Sequence, residues 1–266
     1  MHPDNRNGHT QALGVNLVHT KFLFVTPRDD EDPTRAAVLA AGRAVARGFV
    51  NDFDANDGRA SQTLETIQFF VCDHPEACEA GVRSASYVAQ VSAKYRERLV
   101  EAEAGLRRRL KGFASLRVLD GAVQTPRYTS AEMYEVADKH AVGRQSGKTM
   151  PNVIVAPMSK TKDWWQLTTM ERQSYFYPHR NGGKPTKGHA LSAEHGVSTI
   201  VRRVYHNPDG YQRPNQFDFV TYFECSDEHL ATFDTIRGAL RDQEQNPEWR
   251  FVIEGPEWRG RRVWKW

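Results

Sequence analysis

One order of elements, β-α-β-β-α-β, can be read twice along this chain of 266 residues, and that repeat constrains the fold more than any other feature. In the first half, residues 16–26 (Asn-Leu-Val-His-Thr-Lys-Phe-Leu-Phe-Val-Thr) are rich in β-branched and aromatic side chains, which marks a strand. Asp32-Pro33-Thr34 opens an Ala-rich helix to about Arg47. Phe49 to Phe53 reads as a short strand, Asn56-Asp57-Gly58 as a turn, and Thr63 to Val71 as the next strand. His74-Pro75-Glu76 starts a charged helical stretch to about Leu110, and Leu116 to Leu119 closes the unit as a strand.

The second half repeats the order. Asn152 to Ala156 is a strand, and Thr168-Thr169-Met170-Glu171 fits a capping box, in which hydroxyl and carboxylate satisfy orphan amides at a helix start. Pro178 to Gly188 reads as a loop, Val197 to Tyr205 as a strand and Phe217 to Glu224 as its hairpin partner. Ser226-Asp227-Glu228 starts a helix to about Glu244, and Trp249 to Ile253 is the last strand. Each half therefore matches a ferredoxin-like unit, and the class is α+β. A sheet covered by helices on one face must bury the other, so the two sheets are expected to pack face to face as an α+β barrel. The expected divisions are a disordered tail over 1–13, a first unit over 14–120, a surface linker over 121–150 and a second unit over 151–266.

Composition excludes several functions. Lys and Arg exceed Asp and Glu by 36 − 33 = 3, too few for a nucleic-acid binder. No run of about 18 apolar residues offers a membrane span, and Met1 to Gln11 lacks the apolar core of a secretion signal. Three cysteines are an odd count for a disulfide framework. A cytoplasmic protein is the expectation.

Some motif-like stretches lack the spacing their chemistry needs. Gly143-Arg-Gln-Ser-Gly147-Lys148-Thr149 has three residues between its glycines where a phosphate loop needs four. Asp52-Phe-Asp54-Ala-Asn56-Asp57-Gly58 echoes a calcium loop, but its glycine is one place late and Thr63 stands where a bidentate Glu is required. Cys72-Asp73-His74 with Cys78 is a weak metal pattern, and core thiols explain it as well. The basic and acidic run over 96–111 reads as a solvated helix face.

The candidate site lies in the second half. Trp164-Trp165 precedes the capped helix, and His179, His189 and His195 follow. On the next strand Ser198, Ile200, Arg202 and Val204 share one face, while Val197, Thr199, Val201, Arg203 and Tyr205 share the other. Both faces are largely apolar, so one arginine should point into a covered space. There it needs an acceptor, either a structural carboxylate or a bound anion.

Taken together, Trp164-Trp165, Glu171-Arg172, His189, Arg202-Arg203-Val204-Tyr205-His206 and Asp218 to Glu224 resemble the chlorite dismutase family of haem proteins over residues 151–254. The resemblance implies haem b, iron protoporphyrin IX, in the second unit. It implies His189 as the proximal ligand, thirteen residues before a distal Arg202, a spacing that selects it over His179 and His195. It further implies Glu244 as the acid that hydrogen-bonds the proximal histidine, and Trp164 and Trp165 on the proximal side. Tyr134 would reach a haem propionate, or else pack within the linker. The implied reaction is that of a haem-dependent oxidoreductase of the chlorite O2-lyase type: Arg202 attracts a small anionic substrate, chlorite, which yields chloride and dioxygen. A homo-oligomer, pentamer or hexamer, is implied too, with neither nucleic acid nor membrane as partner. The family's coproheme decarboxylases carry an uncharged residue at the Arg202 position, which weighs against that reaction. The stretches 177–187 and 206–216 are longer than the family pattern. Alternatives are a haem peroxidase or oxidase on another, organic substrate, and a haem-binding protein without chlorite activity.

Overall fold

The computed structural model describes residues 18–49, 65–123 and 150–265. In the first unit the order is β1 (Val18–Pro27), α1 (Asp32–Ala46), β2 (Thr66–Val71), β3 (Tyr87–Ala93), α2 (Arg96–Leu110) and β4 (Ala114–Val123). In the second it is β5 (Asn152–Lys160), α3 (Lys162–Gln166), α4 (Thr169–Ser174), the hairpin β6 (His179–Asn181) and β7 (Lys184–Thr186), and α5 (Gly188–Val197). There follow β8 (Val201–His206), β9 (Phe219–Cys225), α6 (Leu230–Arg241), β10 (Val252–Glu254) and β11 (Trp258–Lys265). No helix among the described residues is long and apolar enough to cross a membrane.

The first sheet runs β2-β3-β1-β4, all antiparallel. The second runs β8-β9-β5, with β5 completed by two strands in series: Met158–Lys160 pair with β10 and Asn152–Val155 pair with β11. This is the ferredoxin-like strand order twice. Two seams then join the units, β11 to β2 and β4 to β8, and the eight strands close on themselves. A glycine stands at each seam. A Cβ on Gly260 would come within 2.4 Å of the Val71 carbonyl, and one on Gly121 within 2.5 Å of the Tyr205 Cβ. Only glycine lets two strands approach so closely there.

The barrel interior draws on both units. Phe22, Phe24, Phe70, Val88, Val153, Val155, Tyr205, Val220, Tyr222 and Trp258 form one buried cluster. Buried polar side chains link beside it: Gln68 Nε2 donates to Gln90 Oε1 (3.0 Å), Gln90 Nε2 to the Tyr205 hydroxyl (2.8 Å), and the Tyr222 hydroxyl to Glu224 (2.6 Å). Buried amides paired in this way avoid the cost of a lost hydrogen bond, about 1–3 kcal/mol each.

The repeat is real, but several elements fall elsewhere than the sequence suggests. The charged helix begins at Arg96, not at His74, and the span before it holds a 3-10 turn (Pro75–Ala77) and the whole of β3. All seven residues of β3, Tyr-Val-Ala-Gln-Val-Ser-Ala, are buried, the polar Gln90 and Ser92 included, so no solvent-facing side marks it as a strand. The fourth strand of the first unit's pattern is thus kept, but β2 and β3 fill its middle places. The strand expected over Phe49 to Phe53 lies, beyond Phe49, outside the described residues, as do the turn at 56–58, the calcium-like and phosphate-loop-like stretches, most of the 121–150 linker and the 1–13 tail. In the second unit the loop before Gly188 is a hairpin, helix α5 continues to Val197, and β8 starts only at Val201. The final helix stops at Arg241, short of Glu244. Residues 249–251 belong to a 3-10 turn, and the Arg-rich β11 was not expected.

Candidate functional site

The site is built on the helix-facing side of the second sheet. Ile154 on β5 packs with Ile200, Cys225, Phe233 and Ile236 beneath α5 and α6. Period-2 alternation then puts Ala156, Met158 and Lys160 on that same face. Across the sheet Arg202 lies opposite Phe223, and Phe223 meets Phe233 of α6 ring to ring at 5.0 Å. Directly opposed residues share a face, so Arg202 points toward the helix layer and Arg203, opposite Tyr222, toward the barrel. Arg202 is nonetheless exposed, not enclosed as its apolar neighbours suggested. The small cluster under α5 and α6 covers one end of the sheet and leaves Arg202, Val204 and Met158 only partly screened.

His189 sits in the first turn of α5. Gly188 just before it has φ +69°, and a Cβ there would lie 2.4 Å from the Tyr177 carbonyl, so the entry to the helix is fixed against the preceding chain. The His189 and Ala190 amides donate to the Tyr175 and Phe176 carbonyls at 3.0 Å each. The ring lies 5.1 Å from that of Phe176. Its Nδ1 is 3.0 Å from Glu248 Oε2, within hydrogen-bond reach but not aligned for a straight bond. Glu248 Oε1 in turn accepts from Lys160 Nζ at 2.5 Å, and the Lys160 ammonium lies 4.2 Å from the centre of the Trp164 ring.

All three partners are largely out of water, with side-chain exposures of 17% for His189, 4% for Glu248 and 2% for Lys160. Burial pushes the Glu248 carboxyl up, but the opposing charges of Lys160 and His189 outweigh it and hold the group well below the usual carboxylate range. Burial also pushes the Lys160 ammonium down from its ordinary value, more than Glu248 lifts it. The carboxylate, with two cationic or donor neighbours, is the firmer of the two charges.

A second strand of contacts leads from Lys160 to the long loop after β8. The buried Asp218 accepts from the Lys160 amide (2.9 Å), from Trp165 Nε1 (3.3 Å) and from the Gln212 amide (2.6 Å). Trp165 stacks on Tyr211 at 4.3 Å, and the Tyr211 hydroxyl meets Nδ1 of the buried His206 at 2.9 Å. Trp165, Tyr211, Arg213 and their neighbours line a cavity of about 460 Å³.

Set against the sequence reading, Trp164, Trp165 and His189 come together around Lys160, and Arg202 faces the same layer. Glu244 does not join them: it is exposed in the turn after α6, its amide donating to Asp242 at 3.0 Å. The acid beside His189 is Glu248, because α6 ends early and a 3-10 turn (Pro247–Phe251) carries Glu248 inward. His195 is 71% exposed, and His179 is held in the β6–β7 hairpin by the Tyr177 carbonyl and Thr186. Tyr134 lies outside the described residues. Lys160 and Asp218 were missed. A lysine ending an otherwise apolar strand, in phase with Ile154, was the available signal for the first.

No family model and no curated protein matches this sequence. Solved structures do match. The chlorite dismutase of Candidatus Nitrospira defluvii in complex with imidazole is 17% identical, covering 96% of this chain and 94% of that one, with a TM-score of 0.64. A tryptophan variant of the same enzyme in complex with cyanide is 19% identical over 92% of this chain and 90% of that one, with a TM-score of 0.64. The fold is that of chlorite dismutase. The chlorite dismutase-like protein TA0507 shares it at 15% identity, over 93% of this chain and 95% of that one, with a TM-score of 0.61. The structural overlap establishes the fold, and identities this low leave the chemistry to be argued from the side chains.

Proposed function

We propose that the chain is a haem b oxidoreductase of the chlorite dismutase type, in which His189 would hold the iron and Arg202 would receive a small anion such as chlorite. The observation that carries this reading is the buried series His189–Glu248–Lys160 under a partly screened sheet face. An imidazole whose Nδ1 faces a carboxylate is held in the tautomer that leaves Nε2 free to ligate a metal, and the carboxylate makes it a stronger donor. A lone buried glutamate would tend to take a proton; Lys160 keeps it ionised. This donor set suits an iron porphyrin.

Bound haem would supply the redox chemistry by which chlorite becomes chloride and dioxygen. The protein's own part is positional and electrostatic. Glu248 holds the Nδ1 proton and fixes the ring. Trp164 screens Lys160 from water. Arg202 would draw a small anion in and hold it by charge-assisted hydrogen bonds at this face.

The test begins with an absorption spectrum of the chain after haem addition. A Soret band at about one haem per chain is expected, and it should vanish in His189→Ala but persist in His195→Ala. Normal haem retention by the His189 variant would remove the assignment. Oxygen release from chlorite at an electrode then decides the reaction. A second reading, a haem peroxidase or oxidase on an organic substrate, draws on the cavity beside Trp165 and Tyr211, which has room for a small organic molecule. A haem-loaded chain that consumes peroxide with an organic reductant and releases no oxygen from chlorite would favour it.

A further inference from the structure

Beside the seam of β2 and β11, outside the site just described, two buried thiols face each other. Cys72 follows the end of β2, Cys78 follows the 3-10 turn Pro75–Ala77, and their sulfurs are 3.4 Å apart. Relative exposures are 9% and 2%. Both lie in the cluster that fills the barrel. Ordinary core packing explains two buried cysteines, but not their direct sulfur–sulfur contact or the polar setting of one of them. Cys78 Sγ accepts from the Arg259 amide at 3.2 Å and also lies 3.3 Å from the Arg259 carbonyl, so it is held against β11.

We propose that Cys72 and Cys78 are a redox-active dithiol that closes to an intrachain disulfide when the folded protein meets a peroxide. The two sulfurs are not equivalent. The hydrogen bond from Cys72, against the opposing effect of burial and with help from the Arg259 amide and guanidinium, brings the Cys78 thiol down to about 7. Cys72, the partner that keeps its proton, is pushed up by that same hydrogen bond and by burial. A thiolate is the form that attacks oxidants, so Cys78 is the attacking residue and Cys72 the resolving one.

The steps balance. The Cys78 thiolate attacks one peroxide oxygen and the O–O bond breaks. Hydroxide leaves and takes up the proton Cys78 had lost, giving water and a sulfenic acid on Cys78. The Cys72 sulfur then attacks the Cys78 sulfur. The S–O bond breaks, the hydroxyl leaves as a second water with the Cys72 proton, and the S–S bond forms. Two thiols are oxidised by two electrons and one hydrogen peroxide is reduced to two waters. The third cysteine cannot take part in this way: Cys225 lies buried in the separate cluster under α5 and α6, and burial pushes its thiol up to about 11.

The sequence offers a clean assay, because Glu76 lies between the two cysteines. The folded chain is treated with hydrogen peroxide, unfolded, alkylated and weighed. Of its three cysteines, labelling should fall from three to one, with a loss of two hydrogens in mass. Cleavage after Glu76 should leave two fragments joined until a reductant is added. Cys72→Ser should stall with a dimedone-reactive sulfenic acid on Cys78, and Cys225→Ser should behave as the wild type. Three labels after peroxide, or a disulfide that includes Cys225, would overturn the proposal. The wild-type measurement needs no variant to fold and no haem to be bound, so its outcome is independent of the function proposed above.

Discussion

The two ferredoxin-like units share a strand order but differ in how each sheet meets its helices. In the first unit Leu23, Val25, Ile67, Phe69, Tyr87, Ala89 and Val91 lie under α1 and α2 with Val38, Ala41, Val45, Ala102, Leu106 and Leu110, all almost fully buried. Among the described residues of the second, Ile154, Ile200, Cys225, Phe233 and Ile236 form a smaller layer, with the partly buried Ala193, Phe223, Leu230 and Leu240 against it. The rest of that face holds Lys160 with its ionic partners and the exposed Arg202. One copy of the fold uses its helix–sheet interface as a hydrophobic core. The other keeps it open and charged, at a cost in apolar burial of roughly 25 cal/mol per Å² not removed from water.

If that contrast is right, the largest effect on stability should come from the buried charges of the second unit. Glu248→Gln leaves Lys160 as an uncompensated buried ammonium, and removing one partner of such a pair costs about 3–5 kcal/mol. Urea unfolding at neutral pH should show it. A loss below about 1 kcal/mol would mean that water or another group takes the place of the carboxylate. Acid titration sharpens the test. The folded-state pKa of Glu248 is depressed, so its contribution is present above the unfolded value of about 4.3 and is lost as pH falls below it. Wild-type stability should therefore fall more steeply than that of the Gln variant as pH drops below about 5.

Next in size is a cavity in the first unit. Leu106 on α2 is fully buried among apolar neighbours. Leu106→Ala should cost about 2–5 kcal/mol, with no change in haem retention and no pH dependence. A shift in haem affinity from this variant would show that the two interfaces are coupled through the barrel.

The sequence revealed these two regions unequally. The repeat itself was legible because strand and helix periods differ, and β1, α1, β5, β9 and the Thr168 capping box fall close to where the pattern puts them. The strand β3 was hidden by burial on both faces. β11 was hidden for the opposite reason: Trp-Arg-Gly-Arg-Arg-Val-Trp-Lys carries charges that fold back onto Asp234, Glu257 and Asp227 of neighbouring segments. His189 and Arg202 were singled out through the family resemblance and its thirteen-residue spacing. Glu248 was not, since its approach to His189 depends on where α6 stops, and helix ends are the least certain part of any pattern.

Arg202 tests whether the open face is an anion site. Because its side chain is exposed, solvent weakens its attraction, and the expected loss is set near the low end for a charged hydrogen bond, about 1.4 kcal/mol. In the haem-loaded protein Arg202→Gln should thus weaken binding of cyanide or azide by about tenfold, while haem content stays near normal. Arg203→Gln, on the barrel-facing side of β8, should leave anion affinity unchanged. The opposite result would mean that the functional arginine is the one facing the barrel.

The smallest effect concerns how helices are held in the two units. Helices α1 and α2 are fifteen residues each, and neither N-cap makes a side-chain hydrogen bond. Their stability must come from the packing beneath them. Helices α3 and α4 have five and six residues, of which only Trp164 is buried, yet each is capped by a threonine, Thr161 and Thr168. At Thr168 the capping is reciprocal. The Glu171 amide donates to the Thr168 hydroxyl oxygen at 3.2 Å, and the Thr168 amide donates to the Glu171 carboxylate at 2.7 Å. Thr168→Ala should therefore cost about 1 kcal/mol, seen as faster amide exchange confined to α4 and the neighbouring chain. Glu31→Ala at the α1 N-cap should change exchange in α1 very little, because no cap bond is lost. Equal effects at the two sites would mean that α4 is held by contacts with its surroundings after all, and that the two units differ less in their packing than their buried layers indicate.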